Sequence, residues 1–143
     1  MDRRSFLLSG AVVCAMAADA AEGATLVVHL EYTGSGTIDD SHKIYVVLWD
    51  SPDFVKGGGM TPFAEKAVTT KSADARFEDV QTNPVYVSMA YDPTGKWQAD
   101  SAPPSGSSLG LYSKQPGTPE PVRLTAGKTT SISATLDDSH KVP

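Results

Sequence analysis

The chain has one cysteine, Cys14, and it lies within the first twenty residues. From residue 21 onward there is no thiol. That excludes disulfide stapling, thiolate zinc sites, blue-copper ligation and cysteine catalysis from this stretch. Basic residues are also scarce: 12 Lys and Arg stand against 17 Asp and Glu, a net charge of −5. A chain of that sign has no electrostatic footprint for a phosphate backbone, so no nucleic-acid partner is expected. No apolar run reaches the roughly 18 residues that cross a bilayer. No segment sustains a 3.6-residue apolar period, so helices are not expected. What the chain does have is 12 Gly and 10 Pro among 143 residues, a loop-rich composition on a length that fits one domain.

The head reads MDRRSFLLSGAVVCAMAADA. Arg3 and Arg4 form a charged start, and a mildly apolar stretch follows from Phe6 to about Ala17. Ala18 and Ala20 then supply an A-x-A cleavage site, the layout of an export signal. Arg3-Arg4 with Phe6 and Leu7 resembles the twin-arginine motif. Val13 precedes Cys14 where a lipoprotein signal needs a small residue, so lipidation is not expected. Residues 1–20 are therefore read as a cleaved signal and 21–143 as the domain, in the periplasm or secreted. Cleavage after Ala24 is the alternative. Asp2 and Asp19 balance the two arginines, so trimming after Ala20 leaves the charge at −5.

Beyond the head, period-two alternation dominates. Thr25 to Tyr32 places Leu26, Val28, Leu30 and Tyr32 on one face and a mostly polar set on the other. Ile44 to Trp49 is apolar on both faces and reads as a central strand stopped by Asp50-Ser51-Pro52. Lys66–Thr70 and Ala75–Val80 read as weaker strands around a turn at Lys71–Asp74. Val85 to Tyr91 faces inward through Val85, Val87, Met89 and Tyr91. Leu109–Tyr112 is one short apolar stretch in a long Pro/Gly/Ser-rich excursion, Ala102 to Pro121. Val122–Leu124 and Thr129–Leu136 complete the set. Thr61–Lys66 has room for one helical turn at most. About seven strands separated by turn residues predict an all-β, mostly antiparallel β-sandwich.

Three segments carry a family resemblance: Ile44 to Pro52; Phe77-Glu78-Asp79-Val80 with Asn83-Pro84-Val85-Tyr86-Val87; and Val122 to Thr130 with Ile132 to Leu136. In order and pattern these resemble the transthyretin-like sandwiches and the carboxypeptidase-regulatory modules built the same way. Pro84 replaces the glycine usual in the middle segment. The resemblance implies that the first and last strands lie side by side and parallel. The Tyr-Arg-Gly-Ser ending of the 5-hydroxyisourate hydrolases, which share that fold, is missing from the end Ser139-His140-Lys141-Val142-Pro143. A shared fold does not assign an activity.

The most unusual local feature is a repeat. Asp39-Asp40-Ser41-His42-Lys43 recurs as Asp137-Asp138-Ser139-His140-Lys141. If the first and last strands are neighbours, both copies gather at one end. Asp39, Asp40, His42, Asp138 and His140 then become candidates for a ligand or a divalent transition metal, since imidazole and carboxylate suit zinc, copper or nickel. The simpler reading is that Asp-Asp-Ser forms turns through its own backbone. His-x-His and His-x-x-x-His spacings are missing, and no metal is assigned. His29 is a third histidine, on an exposed strand face. The resemblance places the loop Asp92 to Asp100 where related sandwiches often carry a calcium-like loop, but Lys96 at a ligand position opposes calcium. Trp97 and Tyr112, in or beside loops, are candidates for aromatic contact with a sugar or peptide; Trp49 is expected in the core. Gly106-Ser107-Ser108-Leu109-Gly110 has the spacing G-x-S-x-G, but no helix is expected after it, so it does not make a nucleophile elbow. Ser41, His42 and Asp39 are sequence neighbours that would diverge on an extended strand, so no catalytic residues are assigned. The expectation is a non-catalytic binding or accessory module for a protein, peptide or small-molecule ligand. The competing classes are a metal-binding protein and, third, a small hydrolase.

Overall fold

The computed structural model describes residues 23–57, 60–99 and 101–143. The expected export signal, with Arg3, Arg4, Phe6, Leu7, Ala18 and Ala20, lies outside the described residues, as do Gly58, Gly59 and Asp100. Seven strands form in chain order: β1 (Ala24–Tyr32), β2 (Ile44–Trp49), β3 (Ala64–Val68), β4 (Ser72–Val80), β5 (Tyr86–Tyr91), β6 (Leu109–Leu111) and β7 (Thr129–Leu136). They make two sheets, β4-β1-β7 and β3-β2-β5-β6. All pairings are antiparallel except β1 with β7, which runs parallel without a break from Thr25↔Thr129 to Tyr32↔Leu136.

The period-two pattern explains which side chains fill the space between the sheets. Leu26, Val28, Leu30 and Tyr32 of β1 meet Ile44, Val46 and Leu48 of β2, with Phe77, Val87, Met89, Ile132 and Leu136 in the same core. Full burial of such a side chain is worth about 1.5–3 kcal/mol, so the inward faces of β1, β2, β5 and β7 dominate stability. Val27 points outward from β1 but is still buried. Arg76 and Ser131 flank it in register on the neighbouring strands.

The observed elements differ from the sequence pattern at four places. The weak strands begin earlier than expected, β3 at Ala64 and β4 at Ser72, with the turn between them near Thr69–Lys71. No helical turn forms over 61–66. It forms instead as a 3-10 turn at Pro52–Lys56, where Pro52 presets the backbone and the Ser51 hydroxyl accepts from the Asp53 N–H at 3.1 Å. Val122–Leu124 is not a strand. Val122 makes a single bridge to Val85, and the Asn83 amide pairs with both backbone groups of Leu124 at 2.9 and 3.0 Å. Trp49 is not a core residue: it lies half-buried on the outer face of β2, stacked on Phe54 at 4.6 Å between ring centres. Its indole N–H donates to the Ser88 hydroxyl at 2.9 Å.

Candidate functional site

Parallel pairing of β1 with β7 brings both strand ends to the same end of the sandwich. The loop after β1 and the tail after β7 therefore meet. Asp138 is the joint. Its Oδ1 accepts from the Tyr32 hydroxyl at 3.0 Å and the Ser108 hydroxyl at 2.8 Å. Its Oδ2 accepts from the Ser35 backbone N–H at 2.9 Å and the Ser35 hydroxyl at 3.2 Å. The Ser35 N–H and the Ser108 hydroxyl outweigh partial burial, and with the Tyr32 and Ser35 hydroxyls they hold the carboxyl down at about 2. The Tyr32 oxygen in turn accepts from the Gly36 N–H at 3.0 Å. Tyr91 lies against Tyr32, with ring centres 5.5 Å apart, and donates to the Thr37 carbonyl at 2.9 Å. Burial, and then the nearby carboxylates, push both phenols up. Gly34 is required here, because a Cβ at that position would collide with Asp138 Oδ1 and the Tyr32 ring.

The tail continues past Asp138 onto the other sheet. The Leu109 N–H donates to the His140 carbonyl at 2.8 Å, Gly106 N–H to Val142 O at 2.9 Å and Val142 N–H to Ser107 O at 2.9 Å. The second Asp-Asp-Ser-His-Lys copy is thus the strap that crosses from one sheet to the edge of the other.

The first copy does something different. Asp39 and His42 exchange backbone hydrogen bonds, and Asp39 Oδ1 accepts from the backbone N–H groups of Ser41 and His42 and sits 2.8 Å from His42 Nδ1. Contact with His42 first, then these N–H groups, lower the Asp39 carboxyl. Asp39 and His42 therefore do meet, contrary to the expectation of divergence, because the segment is a tight turn and not an extended strand. Asp137 repeats the local pattern, accepting from the Ser139 N–H at 3.0 Å and its hydroxyl at 2.5 Å.

The turn at 39–42 packs against the loop after β5. Gly95, with φ of 75°, approaches so closely that a Cβ there would lie 2.5 Å from the Ser41 carbonyl oxygen. Asp92 organises that loop from a buried position. Its Oδ1 accepts from the Thr94 N–H and hydroxyl, its Oδ2 from the Trp97 N–H at 2.8 Å. Burial alone would raise this carboxyl, but the Thr94, Trp97 and Gly95 donors together lower it. A site whose oxygens are so occupied by the loop's own N–H groups is a closed turn.

Between the two segments lies a shallow cleft of about 200 Å³, lined chiefly by Asp40, Lys43, Tyr45, Lys96, Trp97 and Gln98. Trp97 meets Tyr45 edge-on at 5.0 Å, and the Tyr45 hydroxyl donates to the Trp97 carbonyl at 2.9 Å. The Trp97 indole N–H donates to the Ser101 carbonyl at 3.1 Å. Lys43 and Lys96 reach no carboxylate among the described residues. The cleft therefore offers hydrogen-bonding groups of both signs beside an aromatic wall.

The sequence candidates thus separate. Asp40 and Trp97 line the cleft. Asp39 and His42 form the turn beneath it, and Asp138 ties the ends together. His140 is exposed, 3.2 Å from Ser139 Oγ. Among the described residues no three His, Cys, Asp or Glu side chains gather as a metal site. Tyr112 is half-buried against the core, its N–H on Val87 O. His29 pairs with Asp74 of β4 at 2.6 Å on an open sheet face. Lys43, Lys96, Ser35 and Ser108 were not among the ligand candidates that the sequence offered. Nothing local marks Ser35 and Ser108 as partners of Asp138, which lies 103 and 30 residues away. A second cleft, at the opposite end of the sandwich, is lined by Val80, Thr82, Asn83 and Leu124 and carries no ionisable side chain.

No family model matches the chain, and no curated protein or solved structure matches it.

Proposed function

We propose that this is an exported, non-catalytic binding module of transthyretin-like type, and that it takes its ligand in the cleft between the 39–43 turn and the 92–98 loop. The observation that carries this reading is the pairing of Lys43 and Lys96, neither in an ion pair with another described residue, with the Tyr45–Trp97 wall in one cleft. Donors, acceptors and a ring face around a shallow, mostly polar depression suit a hydroxyl-rich ligand such as a short saccharide better than an apolar molecule. The frame is built for it: Asp92 and Asp138 spend their hydrogen-bonding capacity on holding the loops, and the cleft residues lie on that frame. Export through the twin-arginine route would deliver such a module to the periplasm, where saccharides of the envelope are at hand.

The test is calorimetric titration of the purified protein with a panel of neutral and acidic oligosaccharides, beside Trp97→Ala and Lys96→Ala variants. Binding by the native protein that weakens about tenfold or more in both variants supports the cleft. A ligand bound equally well by all three proteins removes the cleft from consideration, and an inert panel removes the saccharide.

A further inference from the structure

The two sheets turn unlike faces to solvent. In β4-β1-β7 the outward side chains include His29, Glu31, Asp74, Arg76 and Glu78, an ordinary wet face. In β3-β2-β5-β6 the register sets Tyr45, Val47 and Trp49 of β2 outward beside Ala90, Ser88 and Tyr86 of β5. Leu109 and Leu111 of β6 continue the same face. Glu65 of β3 is the one charged side chain among the strand residues that point this way. Among the described residues, the large apolar side chains most open to solvent are Val55 and Phe63, 46% and 41% exposed. Both lie at the Trp49 end of this face. Val55 follows Phe54, which stacks on Trp49, and the Phe63 N–H donates to the Leu48 carbonyl at 3.1 Å.

Fixed aromatic side chains stand at both ends of the outer face of β2. Tyr45 is held by its hydroxyl on the Trp97 carbonyl, and Trp49 by its indole N–H on the Ser88 hydroxyl. On a strand that rises about 3.3 Å per residue they are roughly 13 Å apart. Val47 between them is buried although it points outward, and forms a floor. Rings held in place lose little freedom when a ligand settles on them. The cleft at the Tyr45 end is small. Its volume of about 200 Å³ falls short of the roughly 300–1,000 Å³ in which proteins enclose a drug-sized ligand. A longer ligand seated there has to continue across the surface. Tyr45 belongs to both the cleft and the outer face of β2, so this face is the continuous path.

We propose that Trp49, Phe54, Phe63 and Tyr86 form a second subsite for the same ligand, and that the ligand is a linear, largely neutral oligosaccharide laid along β2 from the cleft. This rests on the saccharide reading of the cleft. Sugar rings offer apolar C–H faces to the aromatic rings and hydroxyls to the Tyr86 and Ser88 oxygens. The near absence of charge on this face suits a neutral chain. An extended peptide suits it less, because the main-chain hydrogen bonds that hold one come from an open sheet edge, and β2 is paired on both sides.

The test is calorimetric titration with a series of neutral linear oligosaccharides, from disaccharide to hexasaccharide. The proteins are the native chain, Tyr86→Ala, Phe63→Ser and Trp97→Ala. The native protein should bind the hexasaccharide about tenfold or more tighter than the disaccharide, and in Tyr86→Ala and Phe63→Ser that ratio falls toward one. Phe63 is exposed and outside any strand, so its variant keeps the measurement open if Tyr86→Ala fails to fold, which circular dichroism checks. A native affinity indifferent to chain length, or a gain with length that survives both substitutions in folded protein, overturns the second subsite and leaves the cleft standing. Disaccharide binding undiminished in Trp97→Ala overturns the cleft, and with it the path from the cleft. A series that does not bind at all overturns both.

Discussion

Asp138 and Asp40 occupy the same place in two identical pentapeptides, yet one is the joint of the molecule and the other lies exposed on a cleft rim. The difference comes from what each meets. Asp138 accepts four hydrogen bonds from Tyr32, Ser35 and Ser108, all of them outside its own segment. Replacing it with Asn swaps an acceptor oxygen for a donor and should cost about 1–3 kcal/mol in denaturant unfolding. Its carboxyl is lowered from 3.8 to about 2, so the stabilisation is complete above pH 3.8 and is lost as pH falls through about 2. Asp138→Asn should flatten that acid limb of the stability curve. Ser107 makes the opposite case. It is fully buried and its hydroxyl has no partner among the described residues, so Ser107→Ala should be neutral or slightly stabilising. Ser108→Ala, by contrast, should weaken the fold by removing a donor from Asp138. The turn-forming role of Asp39 and Asp137 was legible in the sequence, because an Asx side chain bonds its own backbone two residues on. The role of Asp138 was not, because its partners are distant in the chain.

Strands that bury alternate side chains in the core declared themselves by pattern. β2 and β7 lie where alternation and β-branching placed them, and β1 begins one residue sooner. β3 was poorly legible because AEKAV buries Val68 alone, leaving nothing for a periodicity to show. The 3-10 turn was missed because Ser51 and Pro52 both end a strand and begin a helical turn. Its position depends on the Trp49–Phe54 stack, and Phe54→Ala should cost about 0.5–1.5 kcal/mol and shift Trp49 emission. The tail strap makes a sharper prediction at this scale. Removing residues 139–143 deletes the carbonyl partners of the Leu109 and Gly106 N–H groups. Amide exchange should accelerate at Leu109 and Gly106, while Val28 and Leu30 in β1 keep their protection.

At the scale of the molecule, two sheets are held by apolar side chains with no thiol past residue 14, and a parallel β1–β7 pair brings the loop after β1 and the tail after β7 to one end of the sandwich. That adjacency is what lets Asp138 fasten the 33–37 loop, which stands beside the turn that walls the cleft. Because Cys14 is the one cysteine, reductant should leave the unfolding midpoint of the chain trimmed after Ala20 unchanged. The most direct measurement is an inter-strand nuclear Overhauser map of the labelled protein. The account predicts parallel cross-peaks joining β1 to β7, from Thr25–Thr129 through Val28–Ile132 to Tyr32–Leu136, and contacts between Ser35 and Asp138. Antiparallel cross-peaks between these strands, or β7 paired with a strand other than β1 within the chain, would contradict it.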